Sequence, residues 1–203
     1  SIYLRDFYGK FNADADITAE QFRLDNDSVG IVKIKAFYNN ASNKVSWDVK
    51  SDNQNYSFNS TGSYNLKDST GAQLDTRVVL NHSNITVLNE ILDGLFSNIQ
   101  GTASGVLNIR GKPNAPVLTG NVMVANAGLT VDYTKVHYTV DSLPVKFEEG
   151  VIDFGQFTLK DDLKRTGTGR GKLYQEGFKN MRFDFDVSTN KMLLLNTQKI
   201  DNP

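Results

Sequence analysis

The chain has 203 residues, with 22 Lys+Arg against 23 Asp+Glu and a formal net charge of -1. A nucleic-acid binder draws affinity from a basic excess that neutralises phosphates; here the longest basic run is the pair Lys164-Arg165, so nucleic acid is not an expected partner. The absence of Cys excludes disulfides, thiolate metal sites and Cys nucleophiles, and no apolar run is longer than that from Met192 to Leu195, which falls far short of the ~20 residues of a membrane helix.

Strand-like sequence begins almost at Ser1. Ala13, Ala15 and Ile17 alternate with Asn12, Asp14 and Asp16, the period-2 signature of a strand with one buried face. Val32, Ile34, Ala36 and Tyr38 repeat it, followed by Val45, Trp47 and Val49, then by Leu74, Thr76, Val78 and Leu80. Turn formers separate the runs: Asp27-Ser28, Asn39-Asn40, Ser51-Asp52-Asn53, Asp68-Ser69, Asn114 and Glu149-Gly150.

One segment changes period. In "SNITVLNEILDGLFSNIQG", Val87, Leu88, Ile91, Leu92, Leu95 and Phe96 fall at helical spacing. The spacing predicts an amphipathic helix over 83–98, capped by Ser83 or Asn84. It serves as a plug or lid on a sheet end, or simply covers apolar edges.

Alternation then resumes with Leu107 and Ile109. Val122 and Val124 continue it, a break falls at Ala127-Gly128, and Leu129, Val131 and Tyr133 follow. Val136, Tyr138 and Val140 come next, and Phe183, Phe185 and Val187 close the series against Arg182, Asp184 and Asp186. The spacing predicts roughly fifteen strands in an all-β chain forming one continuous unit. A sheet of that size must curl, close or split. Apolar side chains on one face predict a strongly curved antiparallel or mixed sheet, open, with an apolar concave side and a polar convex one. A closed sandwich is the competing architecture.

Chemistry-bearing motifs are sparse. "LDNDSVG", from Leu24 to Gly30, places Asp25, Asp27 and Gly30 as a calcium loop would, but Val29 and Ala36 occupy ligand positions 5 and 12; a turn is the better reading. "GTGRG", Gly167 to Gly171, lacks the third Gly of a dinucleotide loop, since Lys172 stands there and strand-like sequence follows. Asp161 and Asp162 point to opposite faces of a strand and read as a solvated turn. His82 and His137 are the only histidines, with His137 expected on the exposed side. No Gly-x-Ser-x-Gly elbow occurs. The expectation is a chain that is not an enzyme, with no catalytic residues, metal or cofactor.

Residues 99–197 carry "IQGTASGVLNIRGKPNAPVLTGNVMVANAGLTVDYTKVHYTV", then "PVKFEEGVIDF", "TLKDD", "GTGRGKLYQEGF" and "MLLLNT". The unit built on Gly101, Gly105, Leu107, Ile109, Gly111, Pro116, Leu118 and Gly120 resembles the C-terminal domain of TamB, in the AsmA-like family of bacterial envelope-spanning proteins. About half the chain carries the likeness; residues 1–98 fit it only as preceding strands and helix. Gln175 stands where many relatives have His, and "KDDLKRTG" is more charged than the usual turn.

The resemblance implies a β-taco, a sheet folded into an open trough with a greasy interior. It implies a periplasmic segment of an inner-membrane-anchored protein reaching toward the outer membrane. It further implies a role in phospholipid transport and outer-membrane biogenesis, as part of a translocation and assembly module with an outer-membrane barrel protein. The chain is accordingly expected to be a piece of a longer protein. Its partners would be phospholipid acyl chains, the barrel protein and client outer-membrane proteins. Joined to the periodicity, the resemblance nominates Val122, Val124, Leu129, Val131, Tyr133, Val136, Tyr138, Val140, Phe147, Ile152, Phe154, Phe183, Phe185 and Val187 as groove lining. The alternative is a scaffold or chaperone for outer-membrane protein (autotransporter) assembly, acting through strand edges by β-augmentation.

Overall fold

The computed structural model describes residues 1–5, 11–24, 27–68, 70–176 and 179–196. Among the described residues, twelve strands form one antiparallel sheet in strict sequence order. They are β1 (Ile2–Arg5), β2 (Asn12–Leu24), β3 (Asp27–Asn39), β4 (Lys44–Asp52), β5 (Ser57–Asn65) and β6 (Leu74–Asn84). After the single turn of helix α1 (Leu88–Ile91) come β7 (Phe96–Lys112), β8 (Ala115–Val131), β9 (Val136–Glu148), β10 (Val151–Asp161), β11 (Thr166–Glu176) and β12 (Lys179–Thr189). The sheet is not closed: β1 and β12 are its two edges. A sequential meander needs only short connections, which is why turn formers alone delimit it.

Directly opposed residues share a face, so the register defines the two sides. One row runs Phe183, Leu173, Ile152, Phe147, Gly120, Leu107, Val78, Ser60, Val49, Ile34, Ile17, from β12 to β2. Only Ser60 and Gly120 in it lack an apolar side chain. The adjacent row, on the opposite face, runs Asp184, Lys172, Asp153, Lys146, Asn121, Val106, Val79, Asn59, Lys50, Lys33, Thr18. From β12 to β9 its charges alternate in sign, Asp184, Lys172, Asp153 and Lys146, with Lys172 lying 3.3 Å from Asp153. Such exposed pairs contribute under ~1 kcal/mol each; the apolar row is what orients the sheet.

Twelve strands replace the roughly fifteen that spacing predicts. The break at Ala127-Gly128 is not a turn but lies inside β8, 17 residues long. Left-handed residues stand within β6 (His82, φ 54°), β7 (Asn98, φ 53°), β8 (Asn126, φ 51°) and β10 (Gly155, φ 57°). They invert the alternation: even residues of β8 face the apolar side up to Val124 and odd ones from Ala127 onward. The proof is β11, where Gly167, Gly169, Gly171 and Leu173 are all buried without interruption. Leu173 pairs through Ile152 and Phe147 to Gly120, while Gly167 pairs through Leu159 and Val140 to Ala127. Gly120 itself has φ +137°, and a Cβ there would meet the Val106 carbonyl oxygen at 2.1 Å, so the two backbones approach as only glycine allows.

The helix expected over 83–98 is a single turn. Ser83 is a buried strand residue whose hydroxyl donates to the Ser57 carbonyl at 2.7 Å, and the Asn84 side chain accepts from the Thr86 N–H at 3.0 Å in a turn. Gly94 takes φ 79° and stops the helix. Asn89 replaces the missing turns: its Oδ1 accepts from the Ile99 N–H at 2.8 Å, and its Nδ2 donates to the Ile99 and Thr86 carbonyls. The motif at Leu24–Gly30 falls partly outside the described residues, at Asp25.

In a meander alternate connections share an end of the sheet. The segments joining β4–β5, β6–β7, β8–β9 and β10–β11, and the chain after β12, all lie at one end. There the Tyr56 hydroxyl bonds Thr86 at 2.9 Å, tying the β4–β5 turn to the α1 connection. Tyr56 joins Val29 and Val32 in the best-buried apolar cluster.

Candidate functional site

The apolar face is the candidate site. Val122 and Val136 are buried on it, and Val124, Leu129, Val131, Tyr138, Val140, Phe147, Ile152 and Phe154 are half-buried. The register puts Val122, Val124, Leu129, Val131, Val136, Tyr138, Val140, Phe147 and Ile152 on this one face despite the inversion in β8. Phe183, Phe185 and Val187 lie on it too, opposite Leu173, Gly171 and Gly169, and are 38%, 42% and 45% exposed. Tyr133 does not belong. It sits in the β8–β9 turn and is 88% exposed, because the alternation whose parity it shares ends at Val131, where the strand ends.

Glycines on β11 let neighbouring side chains lie flat over the backbone. A Cβ on Gly171 would stand 2.2 Å from the Phe185 ring, one on Gly169 2.6 Å from Phe157, and one on Gly167 3.1 Å from Met192 Cε. The "GTGRG" stretch is thus strand, its glycines making room for rings. Phe185 crosses above Gly171 to reach Phe154 at a centroid distance of 5.3 Å, and Phe183 meets Phe96 at 6.0 Å. Phe96 begins β7, five strands from β12; a flat sheet would hold the two roughly 24 Å apart.

The sequence reading of Asp161-Asp162 as a solvated turn is overturned for Asp161, which is 2% exposed. Its carboxylate accepts from the Leu163 and Arg165 N–H groups at 2.9 and 3.0 Å, from Arg165 Nε at 2.7 Å and from the Leu193 N–H at 2.9 Å. Burial alone would raise its pKa. The backbone donors of Leu193 and Arg165 and the Arg165 guanidinium outweigh burial and hold it at about 2. Burial, and then the Asp161 charge, push the Tyr138 phenol up. Asp162 is exposed. His137, expected outside, is half-buried, with Nδ1 3.3 Å from the Thr130 hydroxyl; His82 is exposed.

Sequence reasoning missed the segment after β12. Residues 190–196 turn back across the end of the sheet. Met192 is 7% exposed and rests on Gly167. Leu193 gives its N–H to Asp161, and its carbonyl accepts from the Tyr138 hydroxyl at 2.9 Å. The Asn196 N–H reaches the Thr134 carbonyl in the β8–β9 turn at 2.9 Å. The signal was present as "MLLL", the most apolar run in the chain.

Among the described residues no group of three His, Asp or Glu side chains is placed to hold a metal, and no helix is long and apolar enough to cross a membrane. No family model matches the chain, and neither the curated proteins nor the solved structures give a match.

Proposed function

We propose that this chain is a non-catalytic segment of a TamB-like, periplasm-spanning, inner-membrane-anchored protein. Its apolar face is the inside of a trough along which phospholipid acyl chains pass toward the outer membrane. The observation that carries the reading is the apolar row crossing eleven strands of an open sheet, with a mostly polar row beside it on the opposite face. Curvature into a trough draws support from the Phe96–Phe183 contact, which joins strands far apart in the sheet order. The partial exposure of Phe183, Phe185 and Val187 fits a groove rather than a sealed core.

The physics asks for no special residue. At ~0.8 kcal/mol per methylene and about 30 methylenes, two acyl chains in water cost on the order of 20 kcal/mol. An apolar groove replaces bilayer with a like surface, so transfer of the tails is near neutral while the headgroup stays in water. In this account the strands themselves are the working surface.

The test replaces Val131 and Phe185 together with Asp. Phospholipid transfer between vesicles should fall by roughly tenfold or more, since an unpaired charge is costly against an acyl chain, while the β-sheet circular dichroism persists. Undiminished transfer in the folded variant would contradict the reading. The scaffold alternative draws on the unpaired edges, where Ile2, Tyr3 and Leu4 of β1 are 69%, 63% and 54% exposed. It predicts loss of client assembly when a proline removes an outward N–H of β12, with the apolar face intact.

A further inference from the structure

We infer that residues 190–196 form a strap that closes one end of the apolar groove and has to swing away before a chain can occupy that end. The inference rests on the groove reading above for what would enter, and on the geometry alone for the closure. The strap starts at Thr189 on the edge strand, passes over Gly167 of β11 and the end of β10, and finishes on the β8–β9 turn. It therefore spans the mouth from β12 back to β8, at the end that the α1 connection also covers.

Its attachment has the form of a latch. Among the described residues, besides Met192 resting on Gly167, three hydrogen bonds tie it to the sheet end beyond β12, and two of them grip one residue: Leu193 donates to Asp161 and accepts from Tyr138, each at 2.9 Å. The third, Asn196 to Thr134, is one backbone bond. Beyond Met192 the strap buries little, Leu194 and Leu195 being 54% and 47% exposed. It carries no ladder of its own and adds no strand to the sheet. A segment held by so few contacts opens locally at far lower cost than the paired strands beneath it. The surface it covers is apolar: Met192 stands over Gly167, beside the positions of Leu159 and Val140.

The chain has no Cys, so a lock can be engineered cleanly. Thr134→Cys with Asn196→Cys places two thiols at the strap's far anchor, where the backbones already hydrogen-bond. Leu193→Pro removes the N–H that Asp161 holds and opens the strap. The 203-residue chain is compared wild type, locked and opened, with an apolar fluorescent dye and, separately, with pyrene-labelled phospholipid in vesicles. Dye binding should rise roughly tenfold from locked to opened, the shift in population that one hydrogen bond to a charged group commands, and reduction of the disulfide should restore the wild-type level. Equal dye binding in locked and opened chains would overturn the strap. So would loss of the β-sheet spectrum in the opened chain, which would make the segment part of the fold. A dye difference with no phospholipid carried by any variant would uphold the strap and bring down the groove reading instead.

Discussion

At the scale of single residues, Asp161 shows how one buried carboxylate organises a sheet end. It joins its own turn, the Arg165 guanidinium and the returning strap. An ordinary Asp titrates near 3.8, and folded Asp161 near 2. Because the folded value is the lower one, the group's contribution to stability is complete above about 3.8 and disappears as the pH falls through about 2. Tyr138, the phenol facing it, is pushed further up by burial and by the Asp161 charge, so it stays neutral through that window. Asp161→Asn should lower the urea midpoint at neutral pH and flatten its decline between pH 4 and pH 2. Parallel declines in variant and wild type would show that the carboxylate charge is not what holds the turn. The adjacent Asp162 offers the control: it is exposed, and Asp162→Asn should leave the urea midpoint at neutral pH unchanged.

At the scale of elements, the α1 connection is where sequence periodicity misleads. Val87, Leu88, Leu92 and Phe96 have helical spacing, yet Gly94 adopts φ 79° and Asn89 ties the turn to Ile99. A tertiary hydrogen-bond network has overridden a local preference. Two substitutions separate the accounts. Gly94→Ala would stabilise a true helix; here it should destabilise by about 1 kcal/mol, since φ is positive there. Asn89→Ala should cost about 1–3 kcal/mol by leaving the Ile99 backbone unpaired. Chemical denaturation measures both, and a stabilised Gly94→Ala would contradict the observed turn. Elsewhere the alternation was highly legible. It sorted β2, β3, β4 and β6 onto the correct face, and the irregularity at Ala127-Gly128 marked the inversion at Asn126 to within two residues. Tyr133 was illegible for the converse reason: a turn residue kept the parity of the strand before it. Asp161 and the strap were illegible because both depend on where the chain returns after β12, which no local pattern records.

At the scale of the whole molecule, the account rests on an asymmetry. One face of the sheet carries an apolar row from β12 to β2, and the row beside it on the other face is polar or charged at all but Val106 and Val79. One end is covered by the α1 connection and the strap. A closed barrel would hide its edges, but among the described residues β1 and β12 each pair on one side only. Twelve strands in a meander with an apolar face on show would be an aggregation liability unless that face has an occupant. In the reading proposed above, an acyl chain would be that occupant. It binds without directional contacts, which is consistent with a lining of Val, Leu, Ile and Phe rather than a set of placed polar groups.

The measurement that reaches this claim most directly is site-specific photocrosslinking in bacterial cells producing the protein. A probe at Val131 or Phe185 lies on the apolar face; a probe at Met123 or Asp184 lies on the opposite one. Mass spectrometry of the adducts identifies what each probe touched. The account predicts phospholipid adducts at Val131 and Phe185 and none at Met123 and Asp184. Lipid at all four positions or at none, with protein adducts along β12 in its place, would contradict it and turn the apolar face into a packed surface serving a strand-binding scaffold.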